Sequence, residues 1–410
     1  MSTITLFSGS YCNDQEISRL LVEHTGYRLV RDEDVVSAAS ALSGLGAHKI
    51  GRAFSEKTSV FNSFTHEKEL SIAYLKLALA EMLPAGNLIL AGFTSHLIPR
   101  KLSHALRVCL IADLKFRMAM AAQQDGVSGK DAAKLIRKQE EDVAAWVKNL
   151  TGSNDPWAAT LYDIVVPMDK TSPAEAQALI LRCFGQDVVR PTEESRQAEQ
   201  DFSLNAMVEI ALAKEGHHVQ VETENGAVSI IINKHVLMLS RLEEELKSIA
   251  GKVPGVRSLG TKVGKGYHQT DIYRKVDFEL PSKVLLVDDE REFVQTLSER
   301  LLMRDMGSAV AYDGESALAM IGEDEPEVMI LDLKMPGIDG IEVLKRVKQT
   351  RPEIEVIILT GHGSEADRAT CLKLGAFAYL QKPVDIEVLT DTLKKANEKM
   401  WQNLAVRKTP

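Results

Sequence analysis

The strongest constraint in this 410-residue chain is a rhythm in its last third: short apolar runs, each stopped by a polar residue. Lys283-Val284-Leu285-Leu286-Val287 stops at Asp288-Asp289-Glu290, and Val328-Met329-Ile330-Leu331 stops at Asp332. Val356-Ile357-Ile358-Leu359 stops at Thr360, and Ala378-Tyr379-Leu380 leads to Lys382-Pro383. Unbroken runs of this length are strands buried on both faces, as a parallel sheet covered by helices requires. Helical spacing fills the gaps, with Phe293, Leu297 and Leu301 in one stretch and residues 314–321 in another; residues 308–312 read as a further strand. The pattern predicts a doubly wound α/β domain over 282–402.

In an open parallel sheet, chemistry collects at the carboxyl ends of the strands. The pattern places Asp288, Asp289, Asp332, Thr360 and Lys382 on that one edge. Taken singly, each has an ordinary reading: an Asp caps a helix, a Thr hydroxyl is satisfied locally, and Lys-Pro is a loop. Together they place three mutually repelling carboxylates beside a hydroxyl and an ammonium. A hard divalent cation, Mg²⁺ or Mn²⁺, is the expected neutraliser. Asp332 is then placed to attack a phosphoryl group in line, with Lys382 pairing the carboxylate or the acyl phosphate and Thr360 bonding a phosphoryl oxygen.

With Val284–Glu290, Leu331-Asp332-Leu333-Lys334-Met335-Pro336-Gly337, Leu359-Thr360-Gly361-His362-Gly363 and Tyr379-Leu380-Gln381-Lys382-Pro383, this segment resembles a response-regulator receiver domain, a flavodoxin-like fold. The resemblance implies that Asp332 is phosphorylated by a sensor histidine kinase or a phosphotransfer protein. It implies Mg²⁺ held by Asp288, Asp289, Asp332 and the backbone carbonyl of Lys334, with Thr360 and Tyr379 as a switch pair and Gly361 leaving room beside Thr360.

Composition narrows the classes. Hydrophobic residues at 45% and charged residues at 26% are globular values, and 410 residues suggest two to four domains. The net charge of −9 disfavours broad contact with nucleic-acid phosphates. Cys12, Cys109, Cys183 and Cys371 form no CxxC pair and read as free thiols in a reducing compartment. No export signal or membrane span is expected, so the location expected is cytoplasmic.

Residues 1–188 also alternate strands and helices: strands at 3–7, 88–92, 106–111 and 161–166, helices at 16–23, 113–122, 130–148 and 172–184. The loop Ser8-Gly9-Ser10-Tyr11-Cys12-Asn13-Asp14-Gln15 follows the first strand, where a phosphate-cradling loop belongs. It has one glycine, no Lys, and an Asp. With Gly86-Asn87-Leu88-Ile89-Leu90-Ala91-Gly92, Ala132-Ala133-Lys134-Leu135-Ile136-Arg137 and Leu161-Tyr162-Asp163-Ile164-Val165-Val166, the segment resembles the cytidylate-kinase-like family of P-loop kinases. It departs from that family at Cys12–Gln15, at Phe93 in place of an Arg, and at Gln139-Glu140-Glu141-Asp142 in the lid, where Arg137 and Lys138 are the cations read nearby. An inactive domain is expected, and no residue is assigned to nucleotide binding.

Residues 190–200 and 264–281 read as linkers. Between them, two alternating strands flank Asn225-Gly226, followed by a helix over 236–249 and a strand over 258–263. With Glu224-Asn225-Gly226 and Val253-Pro254-Gly255-Val256, this small α+β segment, 201–265, resembles a BON domain, which implies docking. His217 and His218 are read as solvated.

The reading is a two-component response regulator that passes phosphorylation of Asp332 to its N-terminal modules, to a protein partner or into self-association. No basic recognition helix follows the receiver-like segment, so no nucleic-acid partner is expected. The alternatives are a phosphorylation-regulated nucleotide kinase and a simple phosphate sink.

Overall fold

A computed structural model describes residues 2–55, 61–236, 238–265, 267, 280–304, 306–361 and 363–407, with backbone alone at 63, 64 and 403–407. The described residues fall into two compact units, one drawn from 1–58 and 68–273, the other from 59–67 and 274–410. No helix among them is long and apolar enough to cross a membrane.

In the first unit, β1 (Thr3–Ser8), β2 (Arg28–Arg31), β3 (Leu88–Ala91), β4 (Ala105–Ile111) and β5 (Ile164–Pro167) form a parallel sheet in the order β2-β3-β1-β4-β5. The central strand is buried from Thr3 to Phe7, as its unbroken run demands. Local signals fix the helix starts. Asp113 accepts from the Phe116 amide at 2.7 Å to open Leu114–Asp125. Ser172 and Glu175 close a reciprocal capping box ahead of Pro173–Phe184. Residues 161–163, read as strand, precede β5 instead.

Residues 190–200 are not a linker. The helix Glu193–Lys214 starts there on a Thr192/Ser195 capping box, with the Ser195 amide on Thr192 Oγ1 at 3.1 Å and the Thr192 amide on Ser195 Oγ at 2.9 Å. Its Ala198, Phe202 and Ile210 join the core under the five-stranded sheet. Its Leu204, Val208 and Leu212 join a second core formed with β6 (Gln220–Glu224), β7 (Ala227–Ile232) and the helix Leu239–Ala250. One rigid helix therefore serves both cores. β6 and β7 turn through Asn225 and Gly226, both at positive φ, the geometry of a type I′ hairpin. β8 (Ser258–Val263) pairs with β7 in parallel. His217 is buried, 3.2 Å from Glu245, and precedes the strand; reading it as solvated was wrong. Most of the expected second linker lies outside the described residues.

The second unit holds β9 (Val284–Val287), β10 (Ser308–Ala311), β11 (Val328–Leu331), β12 (Glu355–Thr360) and β13 (Ala378–Gln381), parallel in the order β10-β9-β11-β12-β13. Renumbered within the unit this is 2-1-3-4-5, the flavodoxin-like doubly wound order. β9, β11 and β12 are buried throughout, with helices on both faces. The expected fold class holds: two α/β units with parallel five-stranded sheets, and a small α+β element in the first.

Candidate functional site

The strand order reverses between β9 and β11, and a crevice opens there at the strands' carboxyl ends. Val287 and Leu331 are cross-strand partners, so the residues just beyond them, Asp288 and Asp332, come together. Asp288, Asp289 and Asp332 each place a carboxylate oxygen within 4.8 Å of the others. Asp288 and Asp332 are buried; Asp289 is exposed. Thr360, at the end of β12, is buried, and Lys334 lies in the loop leaving β11.

Lys382 reaches back across this edge from just beyond β13. Its ammonium lies 2.6 Å from Asp288 Oδ2, 2.8 Å from Glu290 Oε1 and 4.3 Å from the centre of the Phe293 ring. Burial pulls the Lys382 pKa down, but bonds to Asp288 and Glu290 and the charges of Asp288 and Asp332 outweigh it and hold it above the usual lysine value. Burial pushes Asp288 up, against the pull of Lys382 and the Glu290 amide. Positive charge is in short supply here.

At this edge the buried atoms Asp332 Oδ1 and Tyr379 Oη have no hydrogen-bond partner among the described residues. An orphaned buried carboxylate oxygen is costly unless a ligand completes it. Three carboxylates with one orphaned oxygen are hard donors and fit a divalent cation.

Two glycines shape the site. A Cβ on Gly340 would overlap the Asp332 carbonyl oxygen, so the helix Gly340–Thr350 starts directly against the Asp332 backbone. A Cβ on Gly363 would overlap the Tyr379 hydroxyl. At Gly361 a Cβ would make only ordinary contact with the Lys382 side chain, at 3.9 Å. Sequence reasoning gathered Asp288, Asp289, Asp332, Thr360 and Lys382 on this edge. It missed the roles of Glu290, Phe293, Gly340 and Gly363. Glu290, directly after the Asp pair, was the readable signal; His362 lies outside the described residues.

In the first unit, the loop after β1 turns through Tyr11 and Asn13 at positive φ into the helix Asp14–Thr25, whose first turn carries Asp14 and Glu16. Helix N-termini favour anions, and these two acids occupy that end. Arg117 reaches this loop: its Nε donates to the Ser10 carbonyl at 2.8 Å and its Nη1 to Glu140.

Residues 284–394 match the family model for the response regulator receiver domain, and residues 3–170 match that for the cytidylate kinase-like family. The chain is 47% identical over 102 residues to the transcriptional regulatory protein CpxR of Klebsiella pneumoniae, covering 25% of this chain and 43% of that protein. It is 34% identical over 110 residues to the response regulator MprA of Mycolicibacterium vanbaalenii, covering 27% and 48%. The chain thus spans less than half the length of these curated relatives. The solved receiver domain of the Francisella response regulator 1452 is 31% identical, covering 29% of this chain and 98% of that one, with a TM-score of 0.28. The second unit contains a receiver domain homologous to those of response regulators.

Proposed function

We propose that the receiver domain accepts a phosphoryl group on Asp332 from the phosphohistidine of a sensor kinase or phosphotransfer protein. The observation that carries this is Asp332 Oδ1, buried and without a partner among the described residues, beside Asp288 and Asp289. Asp288, Asp289, Asp332 and the Lys334 carbonyl would hold Mg²⁺, which when bound neutralises charge on the transferring phosphoryl oxygens. Asp332 supplies the electron pair for the new P–O bond as the donor's P–N bond breaks, and the imidazole leaves with that bond's electrons. Lys382 exchanges Asp288 and Glu290 for a phosphoryl oxygen. Thr360 donates its hydroxyl to another, and the Tyr379 ring follows into the space Thr360 vacates.

The proposed domains are 1–188, 201–265 and 282–402, with a cytoplasmic response regulator as the whole and the first two domains as its output. The helix–hairpin–helix–strand order of 201–265 supports the BON-like docking reading. Hydrogen exchange over residues 1–265 with and without a phosphodonor tests the relay. Changed protection that is absent in Asp332→Asn supports it; identical exchange in both leaves the receiver with no output to this region. The second reading, a phosphorylation-regulated nucleotide kinase, is favoured by the family match of residues 3–170 and opposed by the acids at the phosphate loop.

A further inference from the structure

One face of the sheet in the first unit carries a cavity of about 460 Å³ that no residue of the loop 8–15 lines. Thr5 and Phe7, two residues apart on β1, both reach it, as the strand period requires. Arg107 is the cross-strand partner of Thr5 on β4, and it lines the same cavity. Leu97, Ile98 and Leu161 make the walls largely apolar. The rings of Phe7 and Tyr162, also lining, lie in nearly parallel planes, 7° apart with centroids at 6.2 Å.

Two arginines, Arg100 and Arg107, line this cavity and no carboxylate does, in a chain whose net charge is −9. Backbone carbonyls orient both. Arg107 donates from Nη1 to Ala105 at 3.1 Å and from Nη2 to Pro99 at 2.5 Å, and Arg100 donates from Nη2 to Thr160. A neutral carbonyl fixes a guanidinium without cancelling its charge, and each guanidinium has five N–H donors, so most remain for a ligand. Asp163, exposed and outside the lining, accepts from the Arg107 amide at 2.8 Å and stands 3.7 Å from Nη1. Arg100 has no ion pair among the described residues, so one carboxylate serves two guanidiniums. Burial pulls the Arg107 pKa down, Asp163 pushes it up, and the charge of Arg100 pulls it down again. His96, also lining, is held by burial at a pKa of about 4 and adds no charge at neutral pH. The Ser95 and Tyr162 hydroxyls spend their protons on the Gly92 and Pro156 carbonyls, at 2.6 Å each, which leaves the arginines as the donors.

A largely apolar cavity with a few convergent polar groups is the usual form of a small-molecule site. Here those groups are two oriented forks of positive charge, the geometry that takes a carboxylate through paired N–H bonds. The flat rings beside them favour a planar apolar body. We propose that this cavity binds a small aromatic carboxylate, with its carboxylate on Arg100 and Arg107 and its ring against Phe7 and Tyr162. A nucleotide would offer a phosphate to the same arginines but would leave its ribose hydroxyls against apolar walls.

Calorimetry on the full chain tests this, with 2-naphthoate and its uncharged amide as separate titrants and CMP as a competitor. The expected result is saturable one-to-one binding of 2-naphthoate, weaker by about tenfold or more for the amide and in Arg100→Gln and Arg107→Gln. Thermal melts identify any variant that has lost its fold. Arg107 braces two carbonyls, so if Arg107→Gln fails that control, the exposed Arg100→Gln decides. Four results would overturn the proposal: no saturable 2-naphthoate heat, equal binding of the amide, unchanged affinity in the folded variants, or CMP competing for the site more tightly than 2-naphthoate binds it.

Discussion

Gly363 sets the place of the Tyr379 hydroxyl: a single methyl at position 363 would occupy the same space. Gly363→Ala must push the ring away from Thr360. The expected outcome is that phosphoryl uptake on Asp332 persists while the Tyr379 environment stops responding to it. Fluorotyrosine NMR with and without a phosphodonor checks this; a wild-type shift in the variant contradicts it.

Gly340 meets backbone rather than a movable side chain, because its missing Cβ leaves room for the Asp332 carbonyl and the Leu333 Cα. Neither can swing aside. Gly340→Ala is expected to cost about 1–3 kcal/mol and to lower the receiver's melting temperature. An unchanged melt would mean the loop leaving β11 adjusts freely.

Lys382 is the cation that balances the acidic edge, 2.6 Å from buried Asp288. Lys382→Ala leaves that carboxylate uncompensated, at a cost of about 3 kcal/mol. The loss should be largest without divalent cation and shrink as Mg²⁺ is added, because bound cation replaces the missing charge. Melts of wild type and variant across a Mg²⁺ series measure it; equal losses at every concentration would contradict the account.

His96 gives a pH dependence to the first unit. Burial lowers its pKa from 6.5 to about 4, and its Nε2 lies 3.0 Å from Tyr162 Oη. The unfolded chain therefore binds this proton more readily than the fold does. The stability is fully present above about pH 6.5 and is lost as pH falls toward 4, by about 3 kcal/mol in all. His96→Phe should flatten that part of the profile; an identical slope in wild type and variant would contradict the assignment.

The receiver was legible because its three central strands are buried on both faces, which leaves unbroken apolar runs with the chemistry at their ends. What went unread there needed three dimensions: the Gly340 and Gly363 approaches join residues distant in sequence. In the first unit β2 was missed because Arg28-Leu29-Val30-Arg31 is a short edge strand with polar ends. The charged start of Glu193–Lys214 hid a helix whose Thr192/Ser195 box and Ala198/Phe202 spacing were there to be read. His217 misled because its partner, Glu245, lies on a later helix.

The most direct measurement is intact-protein mass after incubation with acetyl phosphate and Mg²⁺, wild type beside Asp332→Asn. The account predicts one added phosphoryl group in wild type, lost on hydroxylamine treatment as an acyl phosphate is, and none in the variant. No gain in wild type, or an equal gain in Asp332→Asn, would contradict it.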